Sequence, residues 1–96
     1  MSAQSITRRL TQADLARLHA AGEKVVMFTC YDASFARLLD GAGVDALLIG
    51  DSLGNVIQGH DTTLPVTVAD IAYHTAAVKR GSDRPFIIAD MPFGSY

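Results

Sequence analysis

Hydrophobic and polar positions along the chain switch between a helical and a strand period, and the switches predict a regular order of elements. Thr11-Gln12-Ala13-Asp14 reads as a helix start, with Thr11 as N-cap and an acid at the third position. Leu15 and Leu18 share a face of that helix, and Gly22 supplies its stop. Lys24-Val25-Val26-Met27-Phe28-Thr29-Cys30 is rich in β-branched and aromatic residues and predicts a strand. Asp32 stands ready to cap a second helix, where Phe35, Leu38, Leu39 and Ala42 form one apolar stripe. Gly41 or Gly43 ends it. Ala46 to Asp51 is a short apolar run and a second strand, and Ser52 to Val66 reads as a long loop. Thr67-Val68-Ala69-Asp70 starts a third helix, with Val68, Ile71, Thr75 and Val78 facing inward and Gly81 closing it. Phe86 to Asp90 is a third strand, and Met91 to Tyr96 begins a loop.

The predicted order is helix, β, α, β, α, β. Each crossover is long enough for parallel pairing. The apolar runs predict strands buried on both faces. Three parallel strands alone leave two bare edges and an uncovered face. We therefore expect residues 1–96 to be the N-terminal, incomplete part of one larger α/β domain, not stably folded by itself. A cooperative thermal unfolding transition of the isolated chain would count against that expectation.

Composition narrows the classes. The chain has 96 residues, 49% apolar and 19% charged, which suits a globular protein of at most one small domain. A net charge of −2 without a basic block argues against nucleic acid as a partner. No apolar run has the length of a membrane span, and Met1 to Arg9 lacks the apolar core of a signal peptide. Cys30 is the single cysteine, which suits a reducing cytoplasm.

The candidate chemistry lies at the ends of two strands. Ala46-Leu47-Leu48-Ile49-Gly50 ends in Asp51, and Phe86-Ile87-Ile88-Ala89 ends in Asp90. The carboxyl ends of parallel strands are where α/β folds place their ligands. Two carboxylates there, on strands separated by one helix, can converge on one hard cation or one substrate. Local sequence leaves other readings open: Asp51 as a cap, Asp90 as a turn residue, Ser52 bonding within its own turn.

The runs Gly50-Asp51-Ser52-Leu53-Gly54, Gly59 to Thr67, Tyr73 to Val78 and Ala89 to Tyr96 closely resemble the ketopantoate hydroxymethyltransferase family. Thr29-Cys30-Tyr31-Asp32 and Ala42-Gly43-Val44-Asp45 fit the same pattern, so the resemblance covers nearly the whole chain from about Ile6. It implies a TIM-type (β/α)8 barrel, of which this chain supplies an N-terminal helix and the first three strands. A full barrel needs roughly 250 residues. The implied activity transfers a one-carbon hydroxymethyl group from 5,10-methylenetetrahydrofolate to 3-methyl-2-oxobutanoate, giving 2-dehydropantoate for pantothenate synthesis. By the same resemblance Asp51 and Asp90 are Mg²⁺ ligands, and Asp51, Ser52 and Asp90 contact the oxo acid. A further metal carboxylate, a substrate lysine and the general-base glutamate are implied beyond Tyr96, so this chain alone is expected to be inactive. The implied partners are tetrahydrofolate, the remainder of the barrel and further copies, as a decamer.

Such a reaction removes a proton beside a ketone that also carries a carboxylate. A hard divalent cation chelates both oxygens and stabilises the enolate charge, using one or two protein carboxylates plus water and substrate. The Ser52 hydroxyl or backbone N–H can bind the substrate carboxylate.

The remaining residues have ordinary readings. His60 and Asp61 are surface or lid residues. His74 is packing or surface, His19 is solvated and Cys30 is a small buried residue. Tyr31 and Asp32 can line the pocket, with Asp32 equally a helix cap. Lys79 and Arg80 suit a helix C-terminus.

Two rival functions remain. Gly50-Asp51-Ser52-Leu53-Gly54 fits both G-x-S-x-G and the GDSL signature, which would make Ser52 an acyl-transfer nucleophile. That elbow needs a helix directly after the serine, whereas the sequence predicts a loop there. The other rival is a non-catalytic barrel fragment that acts by completing a barrel with a second chain.

Overall fold

The computed structural model describes residues 8–96. The reading of the extreme N-terminus up to Thr7 lies outside the described residues. Seven elements follow in order: α1 (Gln12–Ala20), β1 (Met27–Thr29), α2 (Ala33–Gly41), β2 (Ala46–Ile49), α3 (Leu53–Val56), α4 (Val68–Gly81) and β3 (Phe86–Ala89). The strands make one parallel sheet in the order β1-β2-β3, with Phe28 level with Leu47 and Leu47 level with Ile87. Ladder hydrogen bonds run past the strand ends. Cys30 N–H donates to Leu48 O at 2.9 Å and Asp90 N–H to Ile49 O at 3.0 Å. The expected α/β class and parallel pairing are therefore present.

Local chemistry accounts for the helix ends. Thr11 and Asp14 form a reciprocal capping box on α1, and Thr67 and Asp70 form another on α4. The Asp32 side chain caps α2 by accepting from Phe35 N–H at 2.7 Å. After α1, Gly22 takes φ +78°, and after α2, Gly43 takes φ +85°. In each case the next residue bonds back: Glu23 N–H to Leu18 O at 3.0 Å, and Val44 N–H to Leu39 O at 3.2 Å. This left-handed glycine stop satisfies helix-end carbonyls that would otherwise be unpaired. Gly81 does not act that way. It is the last residue of α4, and the cap after it, Ser82, is extended.

The core is one cluster joining Ala36 and Leu39 of α2, Leu47 and Ile49 of β2, Leu53 of α3, and Ile71 and Val78 of α4. Gly81 sets how closely α2 and α4 approach. A Cβ on Gly81 would stand 2.3 Å from Ala33 O and 2.7 Å from Ala33 Cα.

Several expectations are corrected. Phe35 and Leu38 are 51% and 65% exposed, so the buried face of α2 is Ala36 and Leu39 instead of the full predicted stripe. Val68 is 54% exposed, leaving Ile71 and Val78 as the buried residues of that face of α4. The two helices meet closely at Gly81 and Ala33, both small residues, a contact that the spacing of large residues does not reveal. Only β2 is mostly buried on both faces; β1 is exposed and β3 half-exposed, because each has a neighbour on one side only. The segment from Ser52 to Val66 is not all loop, since α3 follows Ser52 directly.

At the amino ends of the strands a polar network closes the sheet. Arg84 donates to Asp45 Oδ1 at 2.8 Å and to Val44 O at 3.0 Å, while Asp45 Oδ2 accepts Val26 N–H at 2.9 Å. Asp45 and Arg84 are both buried, so each satisfies a charge the other would leave stranded. The Arg9 guanidinium donates to Ser82 Oγ, Ser82 O and Pro85 O at 2.9, 2.7 and 2.8 Å. It thereby fixes the segment before α1 beneath the end of α4. Asp14 is ion-paired with Arg8 and Arg17. The Arg8 hydrogen bond, together with the Thr11 N–H, holds its carboxyl well below the usual range.

Candidate functional site

The site lies at the opposite, carboxyl end of the sheet. Because β2 and β3 pair in parallel with Ile49 level with Ala89, the residues that follow them emerge side by side. Asp51 N–H donates to Asp90 Oδ2 at 3.0 Å, joining two positions 39 residues apart. Asp90 is thus not spent on its own turn. Nor does Asp51 cap α3. Its carboxylate has no hydrogen-bond or ion-pair partner among the described residues and is only partly buried.

Gly50 makes the close approach of the neighbouring groups workable. A Cβ there would stand 3.3 Å from Ser52 Oγ and 3.5 Å from Asp90 Oδ2. The serine oxygen and the Asp90 carboxylate therefore lie over the same bare stretch of backbone. Ser52 is the N-cap residue of α3, with φ −57° and ψ −14°, and its side chain makes no cap hydrogen bond. Instead Ser52 Oγ is 2.6 Å from the Tyr31 hydroxyl, beyond the end of β1. Tyr31 is held in turn from α4: His74 Nδ1 donates to Tyr31 O at 2.8 Å. All three strand ends contribute to one group of residues: Tyr31, then Asp51 and Ser52, then Asp90.

Sequence reasoning located Asp51, Ser52 and Asp90, and the structure brings them together. It gave Tyr31 only a general place in the pocket and His74 no place at all. The Tyr31 signal was its position just past a strand end, the same position that flagged the aspartates. His74 carried no such signal, because only the fold brings α4 against the end of β1. Asp32 proves to be a helix cap. Burial pushes the Cys30 thiol upward, away from the thiolate form a nucleophile needs. His19, His60 and Asp61 are exposed.

Among the described residues, no three His, Cys, Asp or Glu side chains form a metal cluster. Asp51 and Asp90 follow β2 and β3, whereas the Asp32 carboxylate beyond β1 is taken up in capping α2. No helix among the described residues is long and apolar enough to cross a membrane.

Residues 9–96 match the ketopantoate hydroxymethyltransferase family. The chain belongs to that family. It is similar to the 3-methyl-2-oxobutanoate hydroxymethyltransferase of Dechloromonas aromatica, with 86% identity over 96 residues, covering 100% of this chain and 35% of the relative. It is also similar to 3-methyl-2-oxobutanoate hydroxymethyltransferase 1 of Burkholderia ambifaria, 66% identical over 87 residues, covering 91% of this chain and 32% of that protein. The enzyme of that name from an Azoarcus species is 61% identical over 87 residues, with 91% of this chain and 32% of the relative covered. The chain thus spans about a third of the length of these hydroxymethyltransferases.

Proposed function

We propose that residues 8–96 form the opening units of a TIM-type (β/α)8 barrel. In that barrel Asp51, Ser52 and Asp90 hold a 2-oxo acid for hydroxymethyl transfer. The reaction is transfer of a one-carbon unit from 5,10-methylenetetrahydrofolate to 3-methyl-2-oxobutanoate, giving 2-dehydropantoate. The observation that carries this reading is the Asp51 N–H to Asp90 Oδ2 bond at 3.0 Å, which ties the Asp90 carboxylate to the backbone of Asp51 at the adjacent strand end.

The donor set suits Mg²⁺. A hard cation takes oxygen ligands and uses one or two carboxylates plus water and substrate, and Asp51 and Asp90, joined through the Asp51 backbone N–H, offer that number. When bound, the cation supplies stabilisation of the negative charge that grows on the ketone oxygen. The chain's own residues do the rest of the positioning. The Asp51 N–H fixes one oxygen of Asp90, so the other carboxylate oxygen is presented in a constant direction. Ser52 Oγ, over Gly50, lies beside Asp90 and binds the carboxylate of the oxo acid. The general base that removes the proton beside the ketone comes from later strands of the barrel, as do a further metal ligand and a substrate lysine. This chain alone is then inactive. The exposed edges at β1 and β3 suit pairing with such further strands. A homo-oligomeric assembly, placement in the cytoplasm and a role in pantothenate synthesis complete the proposal.

The hydrolase reading loses its first objection, because a helix does follow Ser52. It meets a better one in the backbone and the partners. A nucleophile elbow holds its serine in a strained turn beside a histidine base. Ser52 has ordinary right-handed helical angles, and its oxygen is bonded to a phenol.

The test uses a hybrid in which this chain replaces the matching part of the Dechloromonas aromatica relative. Titration calorimetry with Mg²⁺ in the presence of 3-methyl-2-oxobutanoate should show binding that Asp51→Asn weakens at least tenfold. Equal affinity in the two proteins would remove Asp51 from the metal site.

A further inference from the structure

The hydroxyl of Ser52 has one proton and two lone pairs, so what its neighbour does decides where that proton points. Its neighbour is the Tyr31 hydroxyl, 2.6 Å away, at the short end of the O–H···O range. Two polarities are open to such a pair. A phenol is the more acidic of the two groups and an aliphatic hydroxyl the better acceptor, which favours donation from Tyr31 to Ser52. With one lone pair occupied on that side, the Ser52 proton turns toward the open end over Gly50. The reverse polarity would present only lone pairs there and repel a carboxylate.

We propose that Tyr31 is a positioning residue for Ser52: its phenol hydroxyl donates to Ser52 Oγ and so aims the serine proton at the substrate carboxylate. The proposal rests on the reading that Ser52 contacts the oxo acid. Tyr31 is built to hold this direction. Its backbone oxygen accepts from His74 Nδ1 at 2.8 Å, which requires the Nδ1–H form of the ring, since a carbonyl only accepts. On one side Cys30 is buried in the core, and on the other Asp32 caps α2. The phenol therefore projects from a backbone fixed by α2, α4 and the end of β1. Tyr31 and Ser52 are both partly buried, so water competes poorly for the bond.

Steady-state kinetics of the hybrid enzyme, alone and in a double-mutant cycle, tests this. Tyr31→Phe keeps the ring and removes the donor. It should raise KM for 3-methyl-2-oxobutanoate about three- to tenfold and leave kcat within about twofold, the pattern of lost binding and not of lost chemistry. In a Ser52→Ala background the same change should have no further effect on KM. An equal penalty in both backgrounds would show that Tyr31 acts only through packing and would overturn the proposal. A normal KM in Ser52→Ala would overturn the underlying reading of Ser52. A raised KM in Ser52→Ala with a normal KM in Tyr31→Phe would overturn the Tyr31 proposal alone. Should Tyr31→Phe lose its fold by circular dichroism, 3-fluorotyrosine introduced at position 31 gives the same test with a stronger donor of nearly the same shape. That protein should show a lower KM, and an unchanged or higher value would overturn the proposal.

Discussion

Replacing Gly81 by alanine should destabilise the protein, although alanine is the better helix former. Gly81 is the last residue of α4, and a Cβ added to it would stand 2.3 Å from Ala33 O, 2.7 Å from Ala33 Cα and 2.8 Å from Ala33 C. All three atoms are backbone, at the first residue of α2, so no side chain can swing away. Relief requires α2 and α4 to move apart, opening the cluster that holds Ala36, Leu39 and Val78. Overpacking of this kind costs roughly 1–3 kcal/mol, here toward the upper end, against a helix-propensity gain of at most about 1 kcal/mol. The net loss is about 2 kcal/mol, or roughly 4–8 °C in Tm for a barrel-sized chain. Gly41→Ala is the matched control. Gly41 also ends a helix, yet a Cβ there would meet nothing within 4 Å. Only the propensity term remains, so Tm should rise by about 1–3 °C. Thermal unfolding of the two variants in the hybrid protein, followed by circular dichroism, makes the comparison. A Tm for Gly81→Ala at or above the parent would refute the close approach of α2 and α4. The same shift should also loosen Tyr31, two residues before Ala33, so KM for the oxo acid should rise in Gly81→Ala and not in Gly41→Ala.

Two further predictions concern charges at the other end of the sheet. The Asp14 carboxyl is held low, first by the Arg8 hydrogen bond, so its stabilisation is present above the unfolded value of about 3.9 and fades as pH falls below it. Tm of the parent should therefore fall more steeply than Tm of Asp14→Asn on acidification from about pH 5 to pH 2, and parallel curves would contradict the pairing. Arg84→Met leaves the buried Asp45 carboxylate with its Val26 N–H contact but no countercharge, which should cost about 3–5 kcal/mol in denaturant unfolding. A loss under about 1 kcal/mol would show that water replaces the guanidinium freely.

Element order, parallel pairing and both capping boxes were legible because each depends on neighbouring residues. Thr11 with Asp14, and Thr67 with Asp70, satisfy helix ends wherever the helix later packs. The two strand-end aspartates were legible for a related reason: the carboxyl end of a buried strand is a place defined by sequence order. Helix faces were less so. Phe35, Leu38 and Val68 lie on the apolar stripes by spacing, yet contact between α2 and α4 through Gly81 and Ala33 buries smaller residues. The one-turn helix after Ser52 lacks the length to show a period. Tyr31 and His74 joined the site through contacts spanning 21 and 43 residues, which no local pattern encodes. The same holds for Arg9, whose bonds to the end of α4 span more than 70 residues.

The central claim is that Asp51 and Asp90 together hold the cation that lets a 2-oxo acid lose the proton beside its ketone. Deuterium exchange at that carbon of 3-methyl-2-oxobutanoate, followed by proton NMR in D₂O without the folate donor, measures this step alone. The hybrid enzyme should exchange the hydrogen in a Mg²⁺-dependent way, and Asp90→Ala should abolish the exchange. Exchange by Asp90→Ala at the parental rate would contradict the account.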